Sequence, residues 1–227
     1  MKPLGSMSHL NIDELDEVYK HRFSKENQSQ KELIWKEICH FLQKEIPATG
    51  NVLELATDLG YFINNIEAKE KWATDIRDVS SGLALNVKFV KGDGLSIDRQ
   101  LPNSHFDTIF MSNYLEHLPS TYSVIQQLNV CKNLLKTGGR VIILQPNIRL
   151  IGSAYWDFID HSVALTDKSL QEAVDLAGLK THLVIKRFLP FTTKSRIPQS
   201  SFLVKLYLKF PPVWFFMGKQ TLFIAEK

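Results

Sequence analysis

Apolar residues recur at helical spacing between residues 28 and 45, where Leu33, Ile34, Ile38, Phe41 and Leu42 share one face. Pro47 and Gly50 end that pattern. The period then changes. Residues 51–56 contain Val52-Leu53-Glu54-Leu55-Ala56, a short apolar run of the kind a strand buried on both faces needs. A turn ending at Gly60 and a short helix over 61–67 follow. Further strands are predicted at 72–75, closing on Asp75, at 87–90, leading to Gly92-Asp93-Gly94, and at 106–111, running into Ser112-Asn113. A helix over 120–136 carries Val124, Leu128, Cys131 and Leu135 at helical spacing and stops at Gly138-Gly139. Strands at 141–144, 182–185 and 221–225 complete the pattern, with a helix over 167–177 ending at Gly178.

Strands alternating with helices imply an α/β fold with a largely parallel sheet covered on both faces. The chain has 227 residues with no internal repeat, low-complexity tract or linker, so a single domain spanning 1–227 is expected. Hydrophobic residues make up 44% and charged residues 22%, which excludes disorder. A net charge of +3 gives no argument for nucleic acid as a partner. Cys39 and Cys131 form no CxxC pair and fall on helical patterns, which suits buried thiols in a reducing compartment. No apolar run is long enough to span a bilayer and no signal peptide opens the chain, so a cytoplasmic location is expected. Pro3-Leu4-Gly5-Ser6 reads as a protease-linker remnant, with Met7 as the expected natural start.

In an open α/β sheet, ligands bind beyond the carboxyl ends of the strands, at the switch point beside the first strand. The residues there are Glu54 to Gly60, Asp75, Asp93-Gly94 and Ser112-Asn113. A turn that opens a helix offers unpaired N–H groups to an anion. An acidic residue ending the second strand is placed to accept from ribose hydroxyls, and Asp93 is placed to accept from an exocyclic amine.

Val52-Leu53-Glu54-Leu55, Gly60-Tyr61-Phe62, Asp75, Gly92-Asp93, Phe106-Asp107, Leu115-Glu116-His117-Leu118 and Leu135-Lys136-Thr137-Gly138-Gly139 occur in the order of the class I S-adenosylmethionine (SAM) methyltransferases, which 50–145 resembles. Tyr155-Trp156-Asp157-Phe158, Asp160-His161 and the stretch from Leu189 to Arg196 look like a bacterial subgroup associated with polysaccharide and other glycan assembly. The resemblance implies a Rossmann-like seven-stranded, mostly parallel sheet with an antiparallel last strand and helices on both faces. It also implies a division into N-terminal helices (1–50), a cofactor-binding half (51–145) and a substrate half (146–227) with a lid-like insertion at 188–219. The cofactor implied is SAM. Glu54, Ala56, Thr57 and Gly60 would hold its methionine part, Asp75 its ribose and Asp93-Gly94 its adenine, with Ser112 and Asn113 near the sulfonium. The acceptor would be a hydroxyl or amine of a sugar, glycan or related small molecule.

The glycine loop of that family, acidic-x-Gly-x-Gly-x-Gly, reads here Glu54-Leu55-Ala56-Thr57-Asp58-Leu59-Gly60. Asp58 stands at the middle glycine and would face the carboxylate end of SAM, where like charges cost on the order of 1–4 kcal/mol. A second reading is therefore a non-catalytic binding or regulatory protein that keeps the fold. Methyl transfer to a hydroxyl needs a base, and His161 is the candidate, since histidine titrates near working pH. His117 and Glu116 read as structural, and Asn147 and Arg149 read equally as substrate contacts or as solvated loop. No Cys/His cluster has ligand spacing, His9 and His21 included, so no metal site is expected.

From 188 to 219, basic residues (Lys194, Arg196, Lys205, Lys209, Lys219) interleave with Phe202, Tyr207, Phe210, Trp214, Phe215 and Phe216. The readings are a lid formed by a helix over 200–209 that Pro211-Pro212 ends, or a peripheral membrane contact through 194–219 at the inner face of the membrane. A homo-oligomer is left open.

Overall fold

In the computed structural model, which describes residues 28–191 and 200–227 together with Glu14, Glu17 and Val18, the apolar run after Gly50 is strand β1 (Asn51–Leu55), buried along its whole length. The sheet also contains β2 (Glu70–Asp75), β3 (Val87–Lys91), β4 (Phe106–Ser112), β5 (Leu135–Pro146), β6 (Lys180–Leu189) and β7 (Gln220–Glu226). Their order is β3-β2-β1-β4-β5-β7-β6. β1 pairs in parallel with β2 and β4, Leu53 lying opposite Trp72 on one side and Ile109 on the other. β7 alone runs against its neighbours, antiparallel to β5 and β6. This is the Rossmann-like sheet expected. It places the reversal of strand order between β1 and β4, where the C-terminal strand ends open a crevice.

The helices are α1 (Gln28–Leu42), α2 (Tyr61–Asn65), α3 (Thr121–Leu134), α4 (Ile148–Ile151), α5 (Asp167–Leu176), α6 (Ser201–Lys209) and α7 (Pro212–Met217). Alternation along β1 divides the core in two. Leu53 and Leu55 face a cluster with Leu128, Cys131 and Val174 of α3 and α5. Val52 faces the opposite cluster, with Ile38 and Leu42 of α1, Phe62 of α2, Leu208 of α6 and Trp214 of α7. Both cysteines are buried and unpaired by any disulfide.

Two elements differ from the sequence pattern. β5 begins at Leu135 rather than near 141, because Leu135 pairs with Phe106 across a register shift before the strand proper resumes at Arg140 opposite Thr108. The Gly138-Gly139 pair that resembles a plain helix stop lies inside that irregular strand, with Gly138 at φ 75°. Pro212 does not simply end α6. It is the first residue of α7, the position where a missing N–H and a fixed φ suit a helix start. Among the described residues no helix is long and apolar enough to cross a membrane. His9, His21 and Thr192 to Arg196, with Lys194, lie outside the described residues.

Candidate functional site

The loop after β1 follows the backbone path of a glycine loop with one glycine. Ala56, Asp58 and Gly60 all have left-handed conformations, with φ of 52°, 46° and 69°. An aspartate tolerates this region better than most residues, whereas alanine is strained there. Tertiary contacts hold the path. Thr57 N donates to Thr74 O of β2 at 3.0 Å, and Gly60 N donates to Thr57 O at 2.9 Å. Glu54, buried in β1, braces the loop from beneath: its Oε2 accepts from Thr57 Oγ1 at 2.6 Å and from Ile63 N at 3.1 Å. Burial pushes the Glu54 pKa up to about 8, the negative charges of Asp58 and Asp75 adding to it, although both hydrogen bonds oppose the shift. Glu54 and Thr57 thus hold the shape of the loop in which they were expected to bind cofactor.

Asp75, at the end of β2, is buried. Its Oδ2 accepts from Asp58 N at 3.0 Å, and its Oδ1 accepts from Arg77 N at 2.9 Å and Arg77 Nε at 3.3 Å. Arg77 Nη2 in turn donates to Asp58 Oδ1 at 2.8 Å. The carboxylate at the middle loop position is thus turned onto a guanidinium rather than left facing a ligand. The repulsion expected from sequence applies to an Asp58 that faces the cofactor, and here its carboxylate faces Arg77. Sequence reading missed Arg77, whose only signal is an arginine two residues after the strand-end acid.

The other predicted residues gather at the same strand ends. Gly92 N donates to Asp75 O at 2.9 Å, joining the end of β3 to that of β2. Asp93 caps the 3-10 helix Gly94–Arg99, its Oδ1 accepting from Leu95 N at 3.0 Å. Half-burial pushes the Asp93 pKa up against that bond. Gly94 is buried, and a Cβ there would clash with the Tyr114 hydroxyl and lie 2.9 Å from Gln127 Oε1. Tyr114 Oη donates to that same oxygen at 2.7 Å, so the pair forms a fixed floor that only glycine fits. Beyond β4, Asn113 is left-handed at φ 48°, and its Nδ2 donates to Ser112 Oγ at 3.0 Å.

On the other side of the crevice lies the segment after β5. Asn147 does not face a substrate. It is buried, its Nδ2 donates to Asp167 Oδ1 and Thr221 Oγ1, and its Oδ1 accepts from Arg149 N to cap α4. His161 is brought onto the end of β4 because Ser162 N and Val163 N both donate to Glu116 O, at 2.8 and 3.0 Å. Its Nδ1 lies 2.7 Å from Tyr155 O, and its ring stacks on Phe158 at 4.9 Å and lies 5.1 Å from the His117 ring. Since a carbonyl only accepts, Nδ1 carries the proton and Nε2 the lone pair. Sequence reading treated Glu116, His117 and His161 apart, whereas their side chains converge.

The chemistry of these residues fits SAM. The loop has left-handed backbone at 56, 58 and 60, Arg77 pairs with its carboxylate while also holding Asp75, and Asp75 uses three of about four acceptor sites, leaving capacity for a hydroxyl donor. Residues 26–184 match a family model described as a methyltransferase domain. No curated protein matches. Among solved structures, a SAM-dependent methyltransferase from Archaeoglobus fulgidus is 19% identical with a TM-score of 0.60, covering 96% of this chain and 100% of that one. One from Thermotoga maritima, titled a possible histamine N-methyltransferase, is 12% identical at 0.63, covering 93% and 99%. One from Mesorhizobium loti is 13% identical at 0.59, covering 82% and 95%. At such identities the likeness to these three is one of fold.

Proposed function

The chain belongs to the methyltransferase-domain family, and from that premise we propose that it moves a methyl group from SAM to a hydroxyl or amine of a glycan or related small molecule. The observation that carries this reading is the closed circuit of Asp58, Asp75 and Arg77 around a loop with left-handed residues at 56, 58 and 60. A sequence that had merely lost its glycines would have no reason to keep their backbone path and to neutralise the acid that replaced one of them. That favours an enzyme over a non-catalytic relative.

SAM, when bound, supplies an already reactive sulfonium methyl, so the chain's task is chiefly to align the partners. The loop 56–60 curves around the methionine end, Asp75 takes a ribose hydroxyl, and Asp93-Gly94 form the adenine end above Tyr114 and Gln127. Ser112 and Asn113 border the transfer position. His161, held by Tyr155 O and Phe158, turns its Nε2 lone pair to the acceptor and removes the proton of a hydroxyl. The glycan class rests on the resemblance of 155–161 and 189–196. Label transferred from methyl-labelled SAM to a panel of nucleotide sugars and oligosaccharides tests it. Labelling only of amines unrelated to sugars contradicts the acceptor class.

A membrane-surface contact has its own support. Phe202 and Leu206 on α6, Phe210 just after it, and Phe215 and Phe216 on α7 are exposed, as are Lys205 and Lys209. We propose that this face rests on an anionic lipid surface, at the inner face of the membrane, where an acceptor carried on lipid would be met.

A further inference from the structure

Glu116 and Gln145 present an unanswered question in the core. Both are buried and lie close together, Glu116 in the 3-10 turn Leu115–His117 that follows β4 and Gln145 near the end of β5. Glu116 Oε2 and both polar atoms of the Gln145 amide lack a partner of good hydrogen-bond geometry, although the amide lies close enough to Glu116 to lower its pKa against the upward push of burial. A buried carboxylate oxygen left unmatched costs about 1–3 kcal/mol, more when charged, and calls for a partner.

The surroundings suggest which partner. One ligand atom from each of Glu116, His117 and His161 lies within 4.8 Å of the other two. Glu116 Oε1 is 4.0 Å from His117 Nε2. Both imidazoles have their Nδ1 committed to carbonyls, His117 to Asp160 O at 3.0 Å and His161 to Tyr155 O at 2.7 Å. His117 Nδ1 is also 3.3 Å from Asp160 Oδ2. A carbonyl or carboxylate on the far nitrogen is the outer arrangement that orients a metal-ligating histidine and raises its basicity. The segment is held rigidly: Glu116 O receives Ser162 N and Val163 N, and the Tyr155 hydroxyl donates to Val163 O. Donors around one small cation stand roughly 3–3.5 Å apart, for bonds of about 2.0–2.2 Å. A side-chain adjustment of about an ångström closes this cluster to that spacing.

We infer that Glu116, His117 and His161 form a mononuclear site for a borderline divalent transition-metal ion, Zn²⁺ or a neighbour such as Co²⁺ or Fe²⁺. Two imidazoles and one carboxylate suit such ions better than Mg²⁺ or Ca²⁺, which prefer oxygen alone. Three protein ligands leave positions open, as in catalytic rather than structural sites. The cluster begins three residues beyond Asn113. On the methyltransferase reading, on which this last step rests, the open positions take the acceptor hydroxyl, whose pKa the ion lowers, and the His161 lone pair then holds the ion instead of taking the proton, which narrows the acceptor to hydroxyl compounds.

The test is a Co²⁺ titration of the full chain after chelator treatment, with neither SAM nor acceptor present. The expected result is one Co²⁺ per chain with visible ligand-field bands, displaced by Zn²⁺. Glu116→Gln and His161→Gln should each weaken binding by about tenfold or more, whereas His182→Gln on β6 should not. Thermal unfolding checks that each variant is folded; if Glu116→Gln is not, His161→Gln decides, since it alters a half-exposed loop residue. Absence of ligand-field bands in the folded natural chain overturns the proposal, as does binding unchanged in His161→Gln. Either failure leaves the cofactor reading standing, with His161 as base. A failed SAM titration would instead count against that reading alone.

Discussion

Asp58 changes meaning once Arg77 is placed beside it. From sequence, the acid at the middle loop position argues against cofactor binding. In the structure its carboxylate is 2.8 Å from a guanidinium that also holds Asp75. Replacing Arg77 by Met frees the Asp58 charge and loosens Asp75, so affinity for SAM should fall about tenfold, the worth of a charge-assisted bond of roughly 1.5 kcal/mol. Adding Asp58→Gly to Arg77→Met should recover much of that loss, and calorimetric titration of the four members of the cycle measures it. Glu54 yields a second test. Its pKa is raised to about 8 by burial, so the folded state holds a proton that the unfolded chain releases near the ordinary carboxylate value. That stabilisation is complete below about pH 4 and is lost as pH rises towards about 8, at up to about 1.4 kcal/mol per unit. Glu54→Gln should flatten the fall, and denaturant unfolding at several pH values compares the two. Loop residues were legible from the order of motifs. Arg77 was not, because one arginine after a strand has no period or motif to mark it.

At the scale of elements, periodicity found every strand of the sheet, since buried parallel strands are short apolar runs and their helices have one apolar face. It erred where a local signal was overridden. Gly138-Gly139 reads as a helix stop, yet the chain there already pairs with β4, and Pro211-Pro212 reads as an end although Pro212 starts α7. Asn147 was equally ambiguous from sequence, and its burial makes it a joint between β5, α4, α5 and β7. Asn147→Ala should destabilise the protein by about 1–3 kcal/mol, by leaving Asp167 and the α4 N–H unmatched; chemical denaturation reads this. For α6 and α7, co-sedimentation with vesicles should require anionic lipid and weaken at high salt. Phe215→Ser with Phe216→Ser should reduce it without altering SAM affinity, because Trp214, not these two, packs against Phe41 and Phe188.

For the molecule as a whole, the topology does what local pattern cannot show. Reversal of strand order beside β1 gathers Asp75, Asp93 and Ser112 from three strand ends, and the strand-end positions made that convergence predictable. The meeting of Glu116 and His117 with His161 was not predictable, because it depends on two main-chain bonds that fold the segment after β5 back onto the end of β4. The claim on which everything else rests is that the loop with Asp58 is a working cofactor cradle. The measurement that reaches it most directly is a calorimetric titration of the natural chain with SAM and with its demethylated product. Saturable binding of one molecule per chain at micromolar concentration is the result predicted. A folded protein that binds neither, but gains binding when Asp58 is replaced by glycine, would contradict it, because Arg77 would then have failed to neutralise the loop.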